Sequence, residues 1–375
     1  MAAKVIDVLR RFLPGFLNTN PSLSSEQRRA IWAILHCRTA AMGGRLFACA
    51  SCGTQHYAYH SCNHKACPQC GKAATARWVE REVGKLLGAP YFMVTFTLPA
   101  ELRGLFFGPQ AKTAYDLFFA AASGALAEKL AHGKGLHAAI HGFTGVLHTW
   151  NQRLLYHLHI HFLVPGAGIR SNGKVVSVKN ANFLLHHAPL RGAFRKHFRN
   201  LLAEQGWEVD PTVWHKDWGI HFQPFGTGHQ AVKYLAAYVC RTAIGDSRIV
   251  SFDENSVTFR YKDRSDHDRI KIETIPGEEF VTRYLRHVLP RGLRSTRYYG
   301  FCHPAAFKNR ERLRFHTGRP LFVGATSQQP VTEPTDPWPC CPCCKQPMRW
   351  IGRIPPVRFP TPTERAPPQK PQEAA

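Results

Sequence analysis

The chain contains the stretch Tyr156-His-Leu-His-Ile-His-Phe-Leu-Val164, and this stretch decides the fold of its middle region. Its apolar and β-branched residues predict a strand, on which successive side chains point to opposite faces. Leu158, Ile160 and Phe162 would anchor a core on one face. His157, His159 and His161 would form a row on the other face. Two neighbouring imidazoles of such a row, about 6.6–6.8 Å apart along the backbone, can converge on one divalent ion. An exposed polar strand face is the alternative, but three histidines at a strict period of two favour a metal site.

The composition predicts a globular protein that binds a polyanion. The chain has 375 residues, enough for two or three domains, and 44% of them are apolar. It carries 49 Lys and Arg against 25 Asp and Glu, which gives a net charge of +24. Nucleic acid is the commonest polyanion that such a field attracts. We find no apolar run of about 18 residues that could span a bilayer, no lipidation motif and no signal peptide. We therefore expect a cytoplasmic protein.

The 12 cysteines cluster near the two ends of the chain, in pairs of C-x-x-C spacing. In a reducing cytoplasm this spacing is typical of metal ligands rather than disulfides. Cys49 and Cys52 form one hook, and Cys67 and Cys70 form another, with fourteen residues between them. Two such hooks complete the tetrahedron of a structural zinc ion. We predict one zinc ion here, with Cys62 as an alternative ligand or as part of a second site.

A second possible metal hook lies near the end of the chain, in Cys340-Cys-Pro-Cys-Cys344, through Cys341 and Cys344. It has no obvious partner pair, although Cys302 and His303 are candidates. A Pro- and Thr-rich linker precedes this hook. The basic, Pro-rich tail that follows it is expected to be disordered.

Local patterns divide the remaining chain into strands and helices. Strands are predicted at 91–98, 137–150, 154–164, 214–225, 248–252, 256–261 and 270–275, the second and third joined as a hairpin around Asn151-Gln152. Residues 1–36 are predicted to be helical, with an amphipathic segment at 5–17 and a helix N-cap at Ser24-Ser-Glu-Gln27. Further helices are predicted at 73–88, 113–131, 190–202, 230–242 and 276–287. We expect an N-terminal helix and zinc-binding domain at 1–88, a core at 89–290, a basic aromatic DNA-binding extension at 291–323, and a linker, Cys hook and disordered tail at 324–375.

The predicted helix at 230–242 carries Tyr234 and Tyr238, four residues apart and therefore on one face, about 6 Å from each other. Gln230 lies one turn earlier on that face. A packed aromatic stripe is the commoner reason for such spacing. Beside a histidine metal strand in a strongly basic chain, however, it fits one chemistry, in which a tyrosine phenolate attacks a DNA phosphodiester that a metal ion polarises. The product is a 5′-phosphotyrosyl link and a free 3′-hydroxyl, and two tyrosines would allow two strand transfers to be linked.

Basic and aromatic residues interleave from Arg283 to Arg319, where ten Lys and Arg accompany a single acidic residue, Glu311. Such a pattern is typical of single-stranded nucleic-acid binding, because phosphates take up the charge and bases stack on the rings. A solvated basic surface is the alternative. We predict DNA contacts for Arg241, Arg291, Arg294, Arg297, Tyr298 and Tyr299.

Together these motifs resemble those of the rolling-circle insertion-sequence transposases of type ninety-one, which are HUH (His-hydrophobe-His) endonucleases with two tyrosines. The matching motifs span about 30 to 345 in the family's order and are Cys37-Arg-Thr-Ala-Ala-Met-Gly-Gly44, Ser61-Cys62, Cys67-Pro-Gln-Cys70, Phe96-Thr-Leu-Pro-Ala-Glu-Leu-Arg103, Leu147-His-Thr-Trp-Asn-Gln152, His157-Leu-His-Ile-His161, Val164-Pro-Gly166, Tyr234-Leu-Ala-Ala-Tyr238 and Tyr298-Tyr-Gly300. The resemblance implies an α+β fold with an HUH-endonuclease core, an antiparallel sheet flanked by helices, and an N-terminal zinc-binding domain. It also implies Mg²⁺- or Mn²⁺-dependent cleavage and joining of the single-stranded ends of a mobile element. The cell would then be bacterial, and the protein would associate with the nucleoid when it binds DNA.

The resemblance assigns roles to individual residues. His159 and His161 match the two metal-binding histidines, and Tyr234 and Tyr238 match the two nucleophiles. Such sites usually need a third polar ligand, for which the candidates are Gln230, Gln223, Gln152 and His157. Gln230 ranks first because it projects from the tyrosine face.

The chain departs from the family's pattern at two places. Leu158 stands where the family often has Pro, and His64-Lys-Ala66 stands where it tends to have Asn-Arg-His, which leaves the roles of Cys62 and His64 open. A plasmid replication initiator or conjugative relaxase would share the chemistry, although the cysteine module and the end-to-end match argue against it. A non-catalytic zinc-dependent DNA-binding protein would explain the charge and the cysteine hooks alone.

Overall fold

The computed structural model describes residues 3–239, 243–318 and 339–357, apart from the side chains of Lys72, Ala73, Ala237 and Tyr238. In these ranges the helices are α1 (Val5–Thr19), α2 (Ser25–His36), α3 (Lys72–Gly84), α4 (Ala111–Ala131), α5 (His187–Glu204), α6 (His229–Val239), α7 (Gly277–Leu285) and α8 (Phe307–His316). The strands are β1 (Gly44–Cys49), β2 (Gln55–Tyr59), β3 (Tyr91–Thr97), β4 (Ala139–Ile140), β5 (Gly142–Trp150), β6 (Tyr156–Pro165), β7 (Ala167–Arg170), β8 (Val175–Ser177), β9 (Gly219–Pro224), β10 (Ile249–Phe252), β11 (Ser256–Asp263), β12 (Arg269–Pro276), β13 (Thr296–Gly300) and β14 (Met348–Ile354).

A five-stranded sheet holds the middle of the chain together, with the strand order β13-β5-β6-β3-β9 and antiparallel pairing throughout. The histidine strand β6 lies between β5 and β3, and β5 and β6 form the predicted hairpin. Because side chains alternate along β6, Leu158, Ile160 and Phe162 enter one apolar core. His159 and His161 lie on the opposite face and are also buried.

Helices cover both faces of this sheet. On the Phe162 face, α4 and α5 pack together, and Phe96 contacts Phe162 and Phe194 edge to face at 5.5 and 5.0 Å between ring centroids. On the histidine face, α3 and α6 pack against each other, and the apolar side of α6 contacts a core with Met93, Val146 and Leu163. Burial of each such large side chain contributes about 1.5–3 kcal/mol. An antiparallel sheet flanked by helices confirms the predicted α+β fold class.

A second core joins the start of the chain to residues far along it. The amphipathic helix α1 packs on α7 and on the three-stranded sheet β10-β11-β12, where Phe259 and Phe280 are fully buried. The next helix, α2, begins at a capping box, in which Ser24 and Gln27 each accept a hydrogen bond from the other's backbone N–H, at 3.1 and 3.0 Å. Cys37 and Cys67 belong to the same core, so these helices also support part of the cysteine-rich region.

An ion-pair network fixes the turn of the β5–β6 hairpin. Arg153 in this turn donates two hydrogen bonds of 2.8 Å to Glu273 on β12. Arg283 on α7 donates to the same carboxylate at 3.1 Å and to the Arg153 carbonyl oxygen at 3.0 Å. Arg283 is buried, and Glu279 on the same helix accepts a further hydrogen bond of 2.9 Å from its Nε–H, so two carboxylates compensate its charge. The network therefore holds the histidine hairpin against the second sheet.

A third sheet, β14-β1-β2, brings the two ends of the described chain together. Cys49 lies opposite Met348 in the antiparallel pairing of β1 with β14. The prediction of only a linker, a Cys hook and a disordered tail after residue 324 was wrong at 348–354, which form a strand. Its pattern is weak because most of its side chains are exposed. Most of the predicted linker and the tail fall within 319–338 and 358–375, outside the described residues.

The basic segment after residue 290 is built into the core sheet. β13 pairs with β5 along Thr296–Gly300, and α8 follows it. The stretch predicted as a separate DNA-binding extension thus supplies an edge strand, while the predicted domain boundaries themselves stay predictions. None of the described helices is both long enough and apolar enough to cross a lipid bilayer.

Candidate metal and tyrosine site

Three histidines converge on the buried face of the central sheet. His159 and His161 come from β6, and His148 comes from β5, directly opposite His159 in the strand register. One ring nitrogen of each lies within 4.8 Å of the others. The Nδ1 atom of His148 is 2.6 Å from Nε2 of His159, within hydrogen-bonding distance. This histidine triad (His148, His159 and His161) could hold one divalent ion.

Hydrogen bonds outside the triad orient its rings. The Nδ1–H of His159 donates to the carbonyl oxygen of His157 at 3.0 Å, which leaves Nε2 to accept. Nδ1 of His161 is hydrogen-bonded to the hydroxyl of Thr95 on β3 at 2.9 Å, so Nε2 is the atom with which His161 would ligate a cation. Such second partners fix the tautomer and orientation of metal-binding histidines.

Burial keeps the triad neutral. It lowers the pKa of His148 and of His159 well below the ordinary value of 6.5. It also lowers the pKa of His161 to about 3, with the positive charge of Arg264 as the second cause. Because only the neutral imidazole binds a metal ion, all three rings are in the binding form at pH 7.

The sequence did not single out His148 as a ligand. The signal was present, because His148 belongs to the motif Leu147-His-Thr-Trp-Asn-Gln152, just before the predicted hairpin turn. Only the strand register, which sets His148 against His159, reveals that His148 could be a metal ligand.

The favoured third ligand, Gln230, is exposed on the first turn of α6, and Gln223 is exposed on β9. His157 contributes its carbonyl oxygen as a support.

The tyrosine helix α6 lies against the histidine triad. The ring of Tyr234 meets the ring of His161 edge to face, with 5.7 Å between centroids. Tyr238 is four residues further along α6, about 6 Å along the helix axis, and its side chain lies outside the described residues. α6 begins directly after Gly228, whose φ of +84° favours glycine. A Cβ at Gly228 would lie only 2.8 Å from the ring of Tyr91, so this glycine allows the helix to sit close to the sheet.

The cysteines form two clusters, and the predicted grouping of the Cys49–Cys52 hook with the Cys67–Cys70 hook was wrong. The N-terminal cysteine cluster consists of Cys37, Cys62, Cys67 and Cys70. The shared cysteine cluster consists of Cys49, Cys52, Cys341 and Cys344. The structure therefore does not bring Cys49 and Cys52 together with Cys67 and Cys70 around one ion. The two hooks that are nearest along the chain do not share an ion, because the pairing of β1 with β14 brings the distant hook to Cys49.

The N-terminal cysteine cluster has the geometry and electrostatics of a cation site. The Sγ atom of Cys70 is 3.5 Å from those of Cys37 and Cys62. A hydrogen bond from Cys62 lowers the pKa of Cys67 to about 5, which favours the thiolate form that binds metal ions. Cys62, the alternative ligand in the sequence reasoning, is a member of this cluster, whereas Cys302 and His303 are members of neither cluster.

Three of the predicted DNA contacts are engaged within the protein. The Tyr298 hydroxyl donates to Glu82 at 3.0 Å and accepts from the indole N–H of Trp78 at 3.2 Å. Tyr299 stacks on Phe143 at 5.0 Å between centroids. Arg297 forms an ion pair with Asp116 and lies over the ring of Phe119. These contacts hold β13 on the sheet and leave little of the two rings for stacking on bases.

Arg291 and Arg294 are exposed. Arg291 lines a cavity of about 430 Å³ together with His64, Lys65 and Trp150. Arg294 lines a groove of about 440 Å³ together with Lys112. Arg241, the remaining predicted DNA contact, lies outside the described residues.

Comparison with known proteins gives matches along most of the chain. Residues 8–98 match the model of a family described as "Transposase zinc-binding domain", and residues 142–311 match that of a family described as "Putative transposase". "Putative transposase y4qJ" of Sinorhizobium fredii is 35% identical over 320 residues, which cover 80% of this chain and 80% of that protein. "Transposase for insertion sequence element IS801" of Pseudomonas savastanoi pv. phaseolicola is 29% identical over 292 residues, which cover 72% of this chain and 68% of that protein. No solved structure matches the chain.

Proposed function

The chain belongs to the IS91 family of insertion-sequence transposases, and we propose that it cleaves and rejoins the single-stranded ends of its element through 5′-phosphotyrosine intermediates. Membership of this family makes it a DNA-binding and DNA-recombining enzyme with a zinc-binding domain. The observation that carries the finer proposal is the contact of Tyr234 on α6 with His161 of the histidine triad.

In the proposed reaction, the phenolate oxygen of Tyr234 or Tyr238 attacks the scissile phosphorus. The bond from phosphorus to the 3′-oxygen breaks, and this oxygen takes up a proton and leaves as a 3′-hydroxyl. The 5′-phosphate stays on the tyrosine as an ester. A 3′-hydroxyl then attacks this ester and releases the tyrosine, so the strand is rejoined without another energy source.

The histidine triad fits a catalytic Mg²⁺ or Mn²⁺ ion. His148, His159 and His161 would hold the ion, with His148 in the place for which Gln230 was the sequence-based candidate. When bound, it would polarise the scissile phosphate and favour the ionised phenol, whose pKa is otherwise near 10. Three imidazoles suit Mn²⁺ better than Mg²⁺, which prefers oxygen ligands. Thr95 and the carbonyl of His157 keep the rings of His161 and His159 oriented.

The N-terminal cysteine cluster supports a structural zinc ion within residues 8–98. Four cysteine ligands leave no open position, as in structural rather than catalytic zinc sites. Cys37 and Cys67 are buried in the same core as α1 and α2, so the ion would stiffen the N-terminal domain where that core meets α7.

Lys65 and Arg291 line the adjoining cavity, and we propose that they contact DNA phosphates, with Arg294 continuing this surface.

Covalent capture on DNA tests the proposal. The full-length protein is incubated with Mn²⁺ and single-stranded oligonucleotides from the two ends of its element, and the denatured adduct is digested and mapped by mass spectrometry. We expect an adduct on Tyr234 or Tyr238 that is lost in the Tyr234→Phe and Tyr238→Phe double variant. Tyr57→Phe, at a tyrosine with 48% of its surface exposed in the cysteine-rich region, is the matched control and should retain it.

Two results would contradict the proposal. An adduct in the double variant would show that the nucleophile is another residue. The second result is a protein that has its full zinc content and binds the oligonucleotides but forms no adduct with Mn²⁺ or with Mg²⁺. Such a protein would bind DNA without this chemistry.

A further inference from the structure

The shared cysteine cluster joins residues from opposite ends of the chain. Cys49 and Cys344 are separated by 295 positions, and Cys52 and Cys341 by 289. Cys49 and Cys52 form one C-x-x-C pair, and Cys341 and Cys344 form the other. Both pairs lie beside strands of the same sheet, because Cys49 ends β1 and Cys344 precedes β14. The matched zinc-binding domain covers residues 8–98 and so includes only one of the two pairs.

The distances in this cluster fit a metal ion. The Sγ atoms of Cys49 and Cys344 are 3.4 Å apart, and those of Cys52 and Cys341 are 3.5 Å apart. Four sulfurs at about 2.3 Å from zinc in a tetrahedron lie about 3.8 Å from each other, whereas a disulfide joins sulfurs at about 2.05 Å. The cluster therefore needs only a small expansion to hold zinc.

The backbone on both sides forms matching tight turns. The N–H of Gly53 donates to the carbonyl of Cys49 at 3.0 Å, and the N–H of Lys345 donates to the carbonyl of Cys341 at 2.9 Å. Each turn thus closes directly after the second cysteine of its pair. Both thiol pairs are presented from the same kind of hook, and the two hooks face each other.

The sheet β14-β1-β2 has too small a core to hold the last strand by apolar packing. Its buried cluster consists of Phe47, Cys49, Cys341 and Met348. Trp350 and Ile351 on β14 are about half exposed. A sheet with so little buried apolar surface usually requires a metal ion or a disulfide.

We propose that Cys49, Cys52, Cys341 and Cys344 bind a second structural zinc ion, which fastens residues 339–357 to the N-terminal domain. This zinc clasp turns β14, β1 and β2 into a zinc ribbon assembled from both ends of the chain. It is separate from the N-terminal cysteine cluster and does not depend on the cleavage chemistry.

Zinc content per chain tests the clasp. The full-length protein, free of any histidine tag, is purified without chelator, and its zinc is measured by mass spectrometry. We expect Cys341→Ser with Cys344→Ser to lose about one zinc ion per chain, and Cys49→Ser with Cys52→Ser to lose the same amount. The quadruple variant should lose no more than either double variant, because both hooks hold the same ion.

The chain provides its own controls. Cys340 lies in the same Cys-rich turn, is exposed and is not a member of the cluster, so Cys340→Ser should keep all of the zinc. Cys344→His should restore the ion that Cys344→Ser loses, since Cys₃His is also a structural zinc set. Retained secondary structure by circular dichroism shows that loss of zinc does not come from unfolding.

Protease digestion gives an independent measurement. Trypsin should cut at Lys345, Arg349 and Arg353 faster in the Cys341→Ser and Cys344→Ser double variant than in Cys340→Ser. Unchanged zinc content in that double variant would overturn the proposal. So would loss of about two ions in the quadruple variant, because each hook would then bind its own ion.

Discussion

At the scale of single residues, the metal site depends on the register of the two paired strands, which decides the side chains that lie opposite each other. His148 completes the triad only through its register with His159. We expect His148→Ala to weaken Mn²⁺ binding by more than about 100-fold, since loss of even a supporting group at a metal site costs about 10- to 100-fold. Isothermal titration with Mn²⁺ measures this. His157→Ala is the matched control, because it keeps the carbonyl that orients His159; equal losses in the two variants would disprove the assignment of His148.

His287 makes stability depend on pH. Its Nε2–H donates to the Leu154 carbonyl at 3.0 Å, its Nδ1 accepts from Thr149 at 3.2 Å, and burial lowers its pKa to about 4. Between pH 6.5 and about 4 the unfolded chain therefore binds a proton at this position that the folded chain does not. The free energy of unfolding should fall across this window as the pH falls, by up to about 3 kcal/mol from His287 alone.

Urea unfolding at pH 7.0 and pH 5.0 measures that dependence. The histidine triad adds to the total change, so the comparison is between the unaltered protein and His287→Gln. The difference in unfolding free energy between the two pH values should be smaller in the variant. A difference of the same size in both would mean that the pKa of His287 is the same in the folded and the unfolded chain.

At the scale of elements, the sequence predicted individual strands and helices better than the pairing between them. The period-two pattern of 156–164 and the apolar spacing of α6 are local signals, and both elements form as expected. The pairing of β1 with β14 could not be predicted from local signals, because nothing in the sequence near Cys49 indicates that Met348 lies opposite it. Pairing over hundreds of residues is decided by the whole fold, which is why the Cys49–Cys52 hook was grouped with Cys67 and Cys70 and not with Cys341 and Cys344.

The position of α6 gives a prediction for an element. Gly228→Ala would place a Cβ 2.8 Å from the ring of Tyr91 and push the start of α6 away from the sheet. We expect adduct formation to slow by about ten- to a hundredfold, because a displacement of about 1 Å can cost that much. Gly226→Ala is the matched control, since Gly226 also has a positive φ, of +53°, but no atom within 4 Å of the added Cβ. Single-turnover adduct formation measures both, and equal slowing would trace the effect to backbone strain alone.

At the scale of the whole molecule, the cysteine-rich region and the catalytic sheet meet around one cavity. Its walls include residues 63–66 from the cysteine-rich region, Leu147 and Thr149 on either side of His148, and Arg291. We therefore expect residues of the cysteine-rich region and Arg291 to contact the same DNA strand at this cavity, and we propose that the N-terminal domain helps to position DNA.

The strong positive charge alone would predict DNA binding anywhere on the surface, so its distribution must be tested. The Arg291→Ala and Arg294→Ala double variant should bind single-stranded DNA more weakly. The slope of log K against log salt should fall by about 1.4, because each lost phosphate contact on a single strand removes about 0.7. Arg10→Ala with Arg11→Ala removes the same charge from a groove that also contains Glu254 and Glu278, and it should leave the slope unchanged. Fluorescence anisotropy across a salt series measures both slopes; equal reductions would mean that net charge, rather than a surface beside the catalytic sheet, binds the DNA.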